Sequence, residues 1–256
     1  MLPCLSRQSH IFAQNHIEMN EEIQALISQL GRQTNDKEIV NTMQKVMKQL
    51  LEHYAVSVCG VMIYPLEVES YFTRNSVFED YYVHDNDLQM NNYGRLYIHR
   101  RSRSADASYK ADNRVCMGIC LSDSNTYYYS TLIRSAVMQD GTKVFGPNNV
   151  LAHIVHQINE REQKIEPAFF DHPRHGSSKM AVYFPEMEAA PALIHIDDNT
   201  DPRDNQNTFY ATRVGLGNDN PYYRDLPLRA LTGQLTVEYK YKEKKKIKEL
   251  NDTITL

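Results

Sequence analysis

The amino-acid sequence predicts a single α+β domain, and three observations carry that expectation. Two stretches of helical periodicity stand near the N-terminus, strand-like runs follow from Val56 onward, and a further helical stretch opens at Gly146-Pro147 before strands return. In the first stretch Ile23, Leu26, Ile27 and Leu30 recur at helical spacing and Gly31 stops them. Ile39, Met43, Val46, Met47, Leu50 and Leu51 resume the pattern after Asn35-Asp36. Two amphipathic helices in that position read as scaffold. The segments 56–64, 66–72, 94–99, 114–122 and 126–138 are rich in Val, Ile, Tyr and Thr and predict strands, with Asp123-Ser124-Asn125 as a hairpin turn between the last two. Phe145-Gly146-Pro147-Asn148-Asn149 opens a helix because proline is tolerated in a first turn, and Val150, Leu151, Ile154, Val155 and Ile158 form its apolar stripe. Strands are expected again at 180–184, 193–196, 208–214 and 226–239.

The chain of 256 residues is long enough to bury a substantial core, and no Pro/Gly/Ser linker or repeat divides it. The expected organisation is a helical segment at 1–55 packed on an α+β domain at 56–239, with a basic tail at 240–256. Met1–Arg7 is too poor in apolar residues for a secretory signal, and no window approaches the roughly 18 apolar residues of a membrane span. A soluble, cytoplasmic protein is therefore expected, with no membrane partner. Cys4, Cys59, Cys116 and Cys120 show no C-x-x-C pairing, which predicts reduced thiols and no zinc site; no other metal and no cofactor is expected. The formal charge of -4 argues against a nucleic-acid binder unless the charge is segregated. It is segregated along the sequence, into His99-Arg100-Arg101-Ser102-Arg103 and the run Lys240–Lys248.

Four polar motifs stand out along the chain. Asp197-Asp198-Asn199-Thr200-Asp201 starts like a calcium loop, but Pro202 stands where such a loop needs Gly, so an acidic surface loop is expected. Asp171-His172-Pro173-Arg174-His175 lacks a third ligand and reads as a polar turn. Arg213-Val214-Gly215-Leu216-Gly217 predicts a tight bend or a close approach to a ligand, without the spacing or the following helix of a dinucleotide site. The fourth is the apolar run Ile63–Phe72. Strand alternation puts Glu67, Glu69 and Tyr71 on one face and Leu66, Val68 and Ser70 on the other. That face is either the wet side of an edge strand or a site where an acid beside an aromatic ring works on a flat ligand.

In their order along residues 60–235 these pieces resemble the alkyladenine (3-methyladenine) DNA glycosylase family. Glu67-Val68-Glu69-Ser70-Tyr71 looks like its E-T-E-A-Y segment, in which the second Glu activates the hydrolytic water and the Tyr stacks on the flipped base. Gly94-Arg95-Leu96-Tyr97-Ile98-His99 is similar to its G-x-L-Y-V-Y strand, and Val115-Cys116-Met117-Gly118-Ile119 to its F-C-x-N-I strand. Leu132-Ile133-Arg134-Ser135-Ala136 resembles L-L-R-A-L, Gly146-Pro147 the start of the G-P-x-x-L helix, and Arg213–Gly217 with Pro227-Leu228-Arg229 the R-V-G-V-G and P-L-R elements. The sequence departs from the pattern at His99, where the family has a second aromatic, and at Gly118, where it has asparagine. The family's site histidine follows its Tyr sooner than His84 follows Tyr71, and its short wedge turn corresponds to the longer basic loop 100–113.

The resemblance implies a curved, mostly antiparallel sheet with flanking helices and a monofunctional N-glycosylase acting as a monomer on double-stranded DNA, with a nucleoid-associated location. Glu69 would be the general base, with Arg134 fixing the water and the carboxylate. Tyr71, Tyr97 and His99 would wall the base, and His84 or His99 could donate a proton to a neutral leaving base. Gly118 predicts room for a larger base, a purine with an extra group or a bulky modified base of the kind found in phage DNA, so that excision would serve repair or phage defence. Arg100, Arg101 and Arg103 would contact phosphates, and Tyr109 would be the wedge. Two other classes stay open: a module that senses a modified base without cutting it, and a nucleotide-binding protein unrelated to DNA.

Overall fold

The computed structural model describes residues 21–58, 60–83, 85, 89–100, 115–160, 181–182, 193–196, 201–203 and 207–233. His84, Arg101, Arg103, Tyr109, the motif at 171–175, residues 197–200, Cys4, Cys59 and the basic tail lie outside the described residues. Among those described the helices are α1 (Glu21–Leu30), α2 (Asp36–His53), α3 (Pro147–Glu160) and α4 (Pro221–Arg224). The strands are β1 (Tyr54–Val58), β2 (Val61–Thr73), β3 (Leu96–Arg100), β4 (Val115–Cys120), β5 (Tyr128–Met138), β6 (Lys143–Phe145), β7 (Ala181–Val182), β8 (Leu193–His195), β9 (Thr208–Ala211) and β10 (Arg229–Thr232).

The helices begin and end where local chemistry directs. Asn35 caps α2, its side-chain oxygen accepting from the backbone N–H of Lys37 at 3.0 Å and of Glu38 at 3.3 Å. Asp36 and Glu38 add negative charge at the positive end of the helix dipole. At the other end of α1, the Arg74 guanidinium donates to the carbonyls of Gly31 and Gln33, groups that the helix itself leaves unpaired. Ile23, Ile27 and Leu30 of α1 meet Ile39, Met43, Val46 and Leu50 of α2 in the main core, which Val150, Leu151 and Ile154 of α3 extend.

The strands form one curled antiparallel sheet in the order β7-β3-β4-β5-β2-β1-β8. β10 joins the same edge of β2 that β1 occupies further back, β9 lies outside β10, and β6 pairs with the end of β5. β2 is thus the central strand, and the edge-strand expectation for Glu67 and Glu69 is overturned. The single strand expected over 56–64 is also corrected. It is a hairpin, with Val58 paired to Val61 and Gly60 at φ 77 in the turn, a conformation that glycine adopts at no steric cost. Both arms are apolar, so the pattern runs across the turn unbroken.

Pro65 does not end a strand. β2 continues through it, and the register against β5 slips at Leu66 and recovers at Arg134, so that Pro65 faces Ala136, Glu67 faces Ser135 and Val68 faces Ile133. A proline inside a sheet belongs at such an irregularity, where its missing N–H costs no ladder bond. Arg203 supports the place from behind, donating to the carbonyls of Leu50 at 3.4 Å and Pro65 at 3.2 Å. Its own charge is held by Asp201 at 2.7 Å, both side chains being almost wholly buried. Asp201 is therefore a structural anion and not part of a wet acidic loop. No helix among the described residues is long and apolar enough to cross a membrane.

Candidate active site

The sheet buries apolar residues on both sides, and the side of Glu67 and Glu69 also holds a smaller cluster that includes Leu231, opposite Glu67, and Ala211. On the other side Val68 packs with Met47, Leu51 and Ala230, and Phe72, Ile119 and Ile133 join the main core. Alternation then sends Glu67, Glu69 and Tyr71 to the opposite side, as the sequence pattern predicts, whereas Leu66, expected beside Val68, packs with Tyr64, Val137 and Leu231 where the register slips. Both glutamates are 0 % exposed. Two adjacent carboxylates taken out of water cost several kcal/mol each unless partners compensate, and every partner here can be named.

Glu69 Oε1 accepts from the backbone N–H of Val214 at 2.7 Å and faces the Arg134 guanidinium at 3.2 Å, while Oε2 accepts from the Tyr71 hydroxyl at 2.8 Å. Glu67 Oε1 accepts from Arg134 Nε at 3.2 Å and from an Arg229 terminal nitrogen at 3.1 Å, and its Oε2 accepts from the Ser135 hydroxyl at 2.8 Å. Arg134 therefore bridges the two acids. It reaches them because the recovered register makes it the extra residue on β5 opposite Glu67. Burial pushes the Glu67 carboxyl above its ordinary value of 4.5, with Arg134, Arg229 and Ser135 pulling it back and the charge of Glu69 adding to the rise. Burial, with the neighbouring charge of Glu69, holds the Tyr71 hydroxyl well above the ordinary phenol range, so it stays a donor to Glu69.

A second ion pair closes the site. Arg213 donates to Asp80 Oδ2 at 2.6 Å, to the Ser70 carbonyl at 3.2 Å and to the Tyr223 carbonyl at 2.8 Å. Its guanidinium carbon lies 4.8 Å from the centre of the Tyr71 ring and 5.6 Å from that of Tyr82, distances suited to cation–π attraction. The Tyr82 hydroxyl donates to the Gly217 carbonyl at 2.8 Å and accepts from the Asn220 N–H at 3.1 Å. The Arg213–Gly217 segment is the expected tight bend, with Gly215 at φ 77, and it is thereby fastened against Glu69, whose carboxylate accepts from the Val214 N–H. A one-turn helix, α4, does follow this bend, with Asn220 as its cap.

Across the sheet, Glu69 on β2 stands opposite Leu132 on β5, Leu132 opposite Gly118 on β4, and Gly118 opposite Tyr97 on β3. The next row runs from Tyr71 through Ser130 to Cys120, and His99 stands opposite Cys116. The register thus gathers Glu69, Tyr71, Arg134, Gly118, Tyr97 and His99 in neighbouring rows of four adjacent strands. Of Tyr97, His99 and Arg100 only the strand positions are described. Gly118 contributes no side chain between Leu132 and Tyr97. Cys116 and Cys120 are buried and form no disulfide, and burial raises the Cys120 pKa far above the thiol range, consistent with core residues.

Asp80, Tyr82, Arg213, Val214, Arg229 and the anchoring role of Glu67 were not picked out from sequence. Arg213 and Arg229 sat inside recognised motifs, but nothing local announces that their charges turn inward. Tyr71, Arg134 and Val214 are partly exposed, so the buried acids adjoin the surface through them. Compared with models of known protein families and with curated protein sequences, the chain gives no match.

Proposed function

We propose that this protein hydrolyses the N-glycosidic bond of a modified base flipped out of double-stranded DNA, with Glu69 as general base. The observation that carries the reading is the immobilised carboxylate of Glu69, held at three points by Val214, Tyr71 and Arg134 beneath partly exposed groups. An acid fixed in that way needs no reorganisation when it acts, which is the condition for efficient proton abstraction from water. The flipped base would lie on the face of Tyr71 that Arg213 does not cover, in the row that Gly118 leaves open. Glu69 would draw a proton from water as the sugar passes through an oxocarbenium-like state, with Arg134 fixing the acid. Arg100, Arg101 and Arg103 would meet the phosphates, and the unstacking cost of a few kcal/mol would be offset by pocket contacts.

The test is incubation with a panel of duplexes carrying modified bases, followed by alkaline cleavage at abasic sites. Glu69→Gln keeps the shape of the side chain and is expected to slow excision by about 100-fold or more, the usual worth of a general base, while duplex affinity holds. Excision by Glu69→Gln at the wild-type rate would end this mechanism. A second reading follows from the partners on both Glu69 oxygens, which also suit a pocket that senses a modified base without cutting it. Tight binding to one modified duplex with no abasic product would select that reading.

A further inference from the structure

We propose that Glu67, itself anchored by Arg229 and Ser135, is the positioning residue that sets Arg134 against Glu69; the inference rests on the reading of Glu69 as the working acid. Glu67 is wholly buried, and both its oxygens are taken up by the anchor, Oε1 by Arg134 and Arg229 and Oε2 by Ser135. Packing does not explain it, because an apolar side chain of similar volume would fill the space without the desolvation cost, and such replacements of buried ion pairs are often neutral or stabilising. What an apolar residue could not do is grip Arg134. Arg134 holds Glu67 through Nε at 3.2 Å and faces Glu69 through a terminal nitrogen at 3.2 Å. The guanidinium is planar and rigid, so fixing its Nε edge fixes where its far nitrogen points.

Arg134 is also the partly exposed member of the group, with 12 % of its side chain open. Without Glu67 it gains a route toward water, and Glu69 loses one of its three supports. The chain of restraint therefore runs inward to outward, from Arg229 at 3.1 Å and Ser135 at 2.8 Å, through Glu67, to Arg134 and then to Glu69. Tyr71 restrains the other Glu69 oxygen, and the Asp80–Arg213 pair beyond it is separate from this chain.

Two measurements on the full chain test this. Single-turnover excision with Glu67→Gln should lose up to about 100-fold in rate, the scale of an ångström-sized misplacement of a reacting group, with the duplex KM within about twofold of wild type. Ser135→Ala, which removes only the bond to Glu67 Oε2, should lose less in the same direction and serves if Glu67→Gln does not fold. The second readout is the side-chain Nε–H resonance of Arg134, assigned by its loss in Arg134→Lys. It should be sharp and slowly exchanging in wild type, and broadened in Glu67→Gln and Ser135→Ala whether or not DNA is cut. An unchanged Arg134 resonance together with wild-type rates in these variants overturns the proposal. A broadened resonance in a protein whose wild type cuts no duplex sustains the restraint on Arg134 and overturns instead the reading of Glu69 as a glycosylase base.

Discussion

Arg213 ties the loop at Asp80, the carbonyl of Ser70 on β2 and the end of α4 into one cluster, and it does so in a place where water cannot help. Burial raises the Asp80 carboxyl above its ordinary value while the Arg213 charge pulls it down, so the pair is stable only as a pair. Arg213→Met is expected to cost about 3–5 kcal/mol, the penalty for leaving a buried charge uncompensated, read as a lower urea midpoint. Adding Asp80→Leu should recover much of that loss, a coupling that two independent sites would not show. At this scale the sequence was legible where spacing is local. Alternation along one strand puts Glu67, Glu69 and Tyr71 together, whereas Arg134 is named only by the family resemblance and not by any local spacing. Asp80, Arg213, Arg229 and the Val214 N–H come from far along the chain, and no spacing rule reports which distant charge will turn inward to meet another.

Helix α2 lies against the reverse of the site strand, with Met47 and Leu51 beneath Val68. Its cap at Asn35 is remote from the acids. Asn35→Ala should therefore cost about 1 kcal/mol of stability in urea unfolding, as cap removal does, with the Arg134–Glu69 contact unchanged. Both N-terminal helices, the hairpin turn at Asp123-Ser124-Asn125 and the start of α3 were readable because caps, turns and 3.6-residue periodicity are properties of adjacent residues. Strand limits in the segment 56–72 were not. The apolar run there crosses a turn at Gly60 and passes through Pro65, and only the register against β5 reveals that the proline sits beside a slip that Arg134 later restores.

For the molecule as a whole the α+β class followed from the order of elements, whereas the strand order and the curl of the sheet depend on pairings between distant segments. Those pairings converge on β2, which has β5 along one side and β1 then β10 along the other. Its amides, among them the Ser70 N–H that donates to Leu228 at 2.9 Å, should exchange with deuterium only through global unfolding, while those of the short outer strand β8 exchange through local opening. A β2 amide that exchanges as fast as one in β8 would contradict this. The handover of β2 from β1 to β10 also fixes a schedule. β1 is next to β2 in the chain, but β10 and the segment carrying Arg213, Val214 and Arg229 are made some 140–160 residues later. During synthesis β1 is made immediately before its partner, whereas Glu67 and Glu69 have neither Val214 nor Arg229 until this late segment is made. The two acids gain their full set of partners only once that segment is made, so a chain ended before Val214 would hold Glu69 without its backbone donor and Glu67 without Arg229.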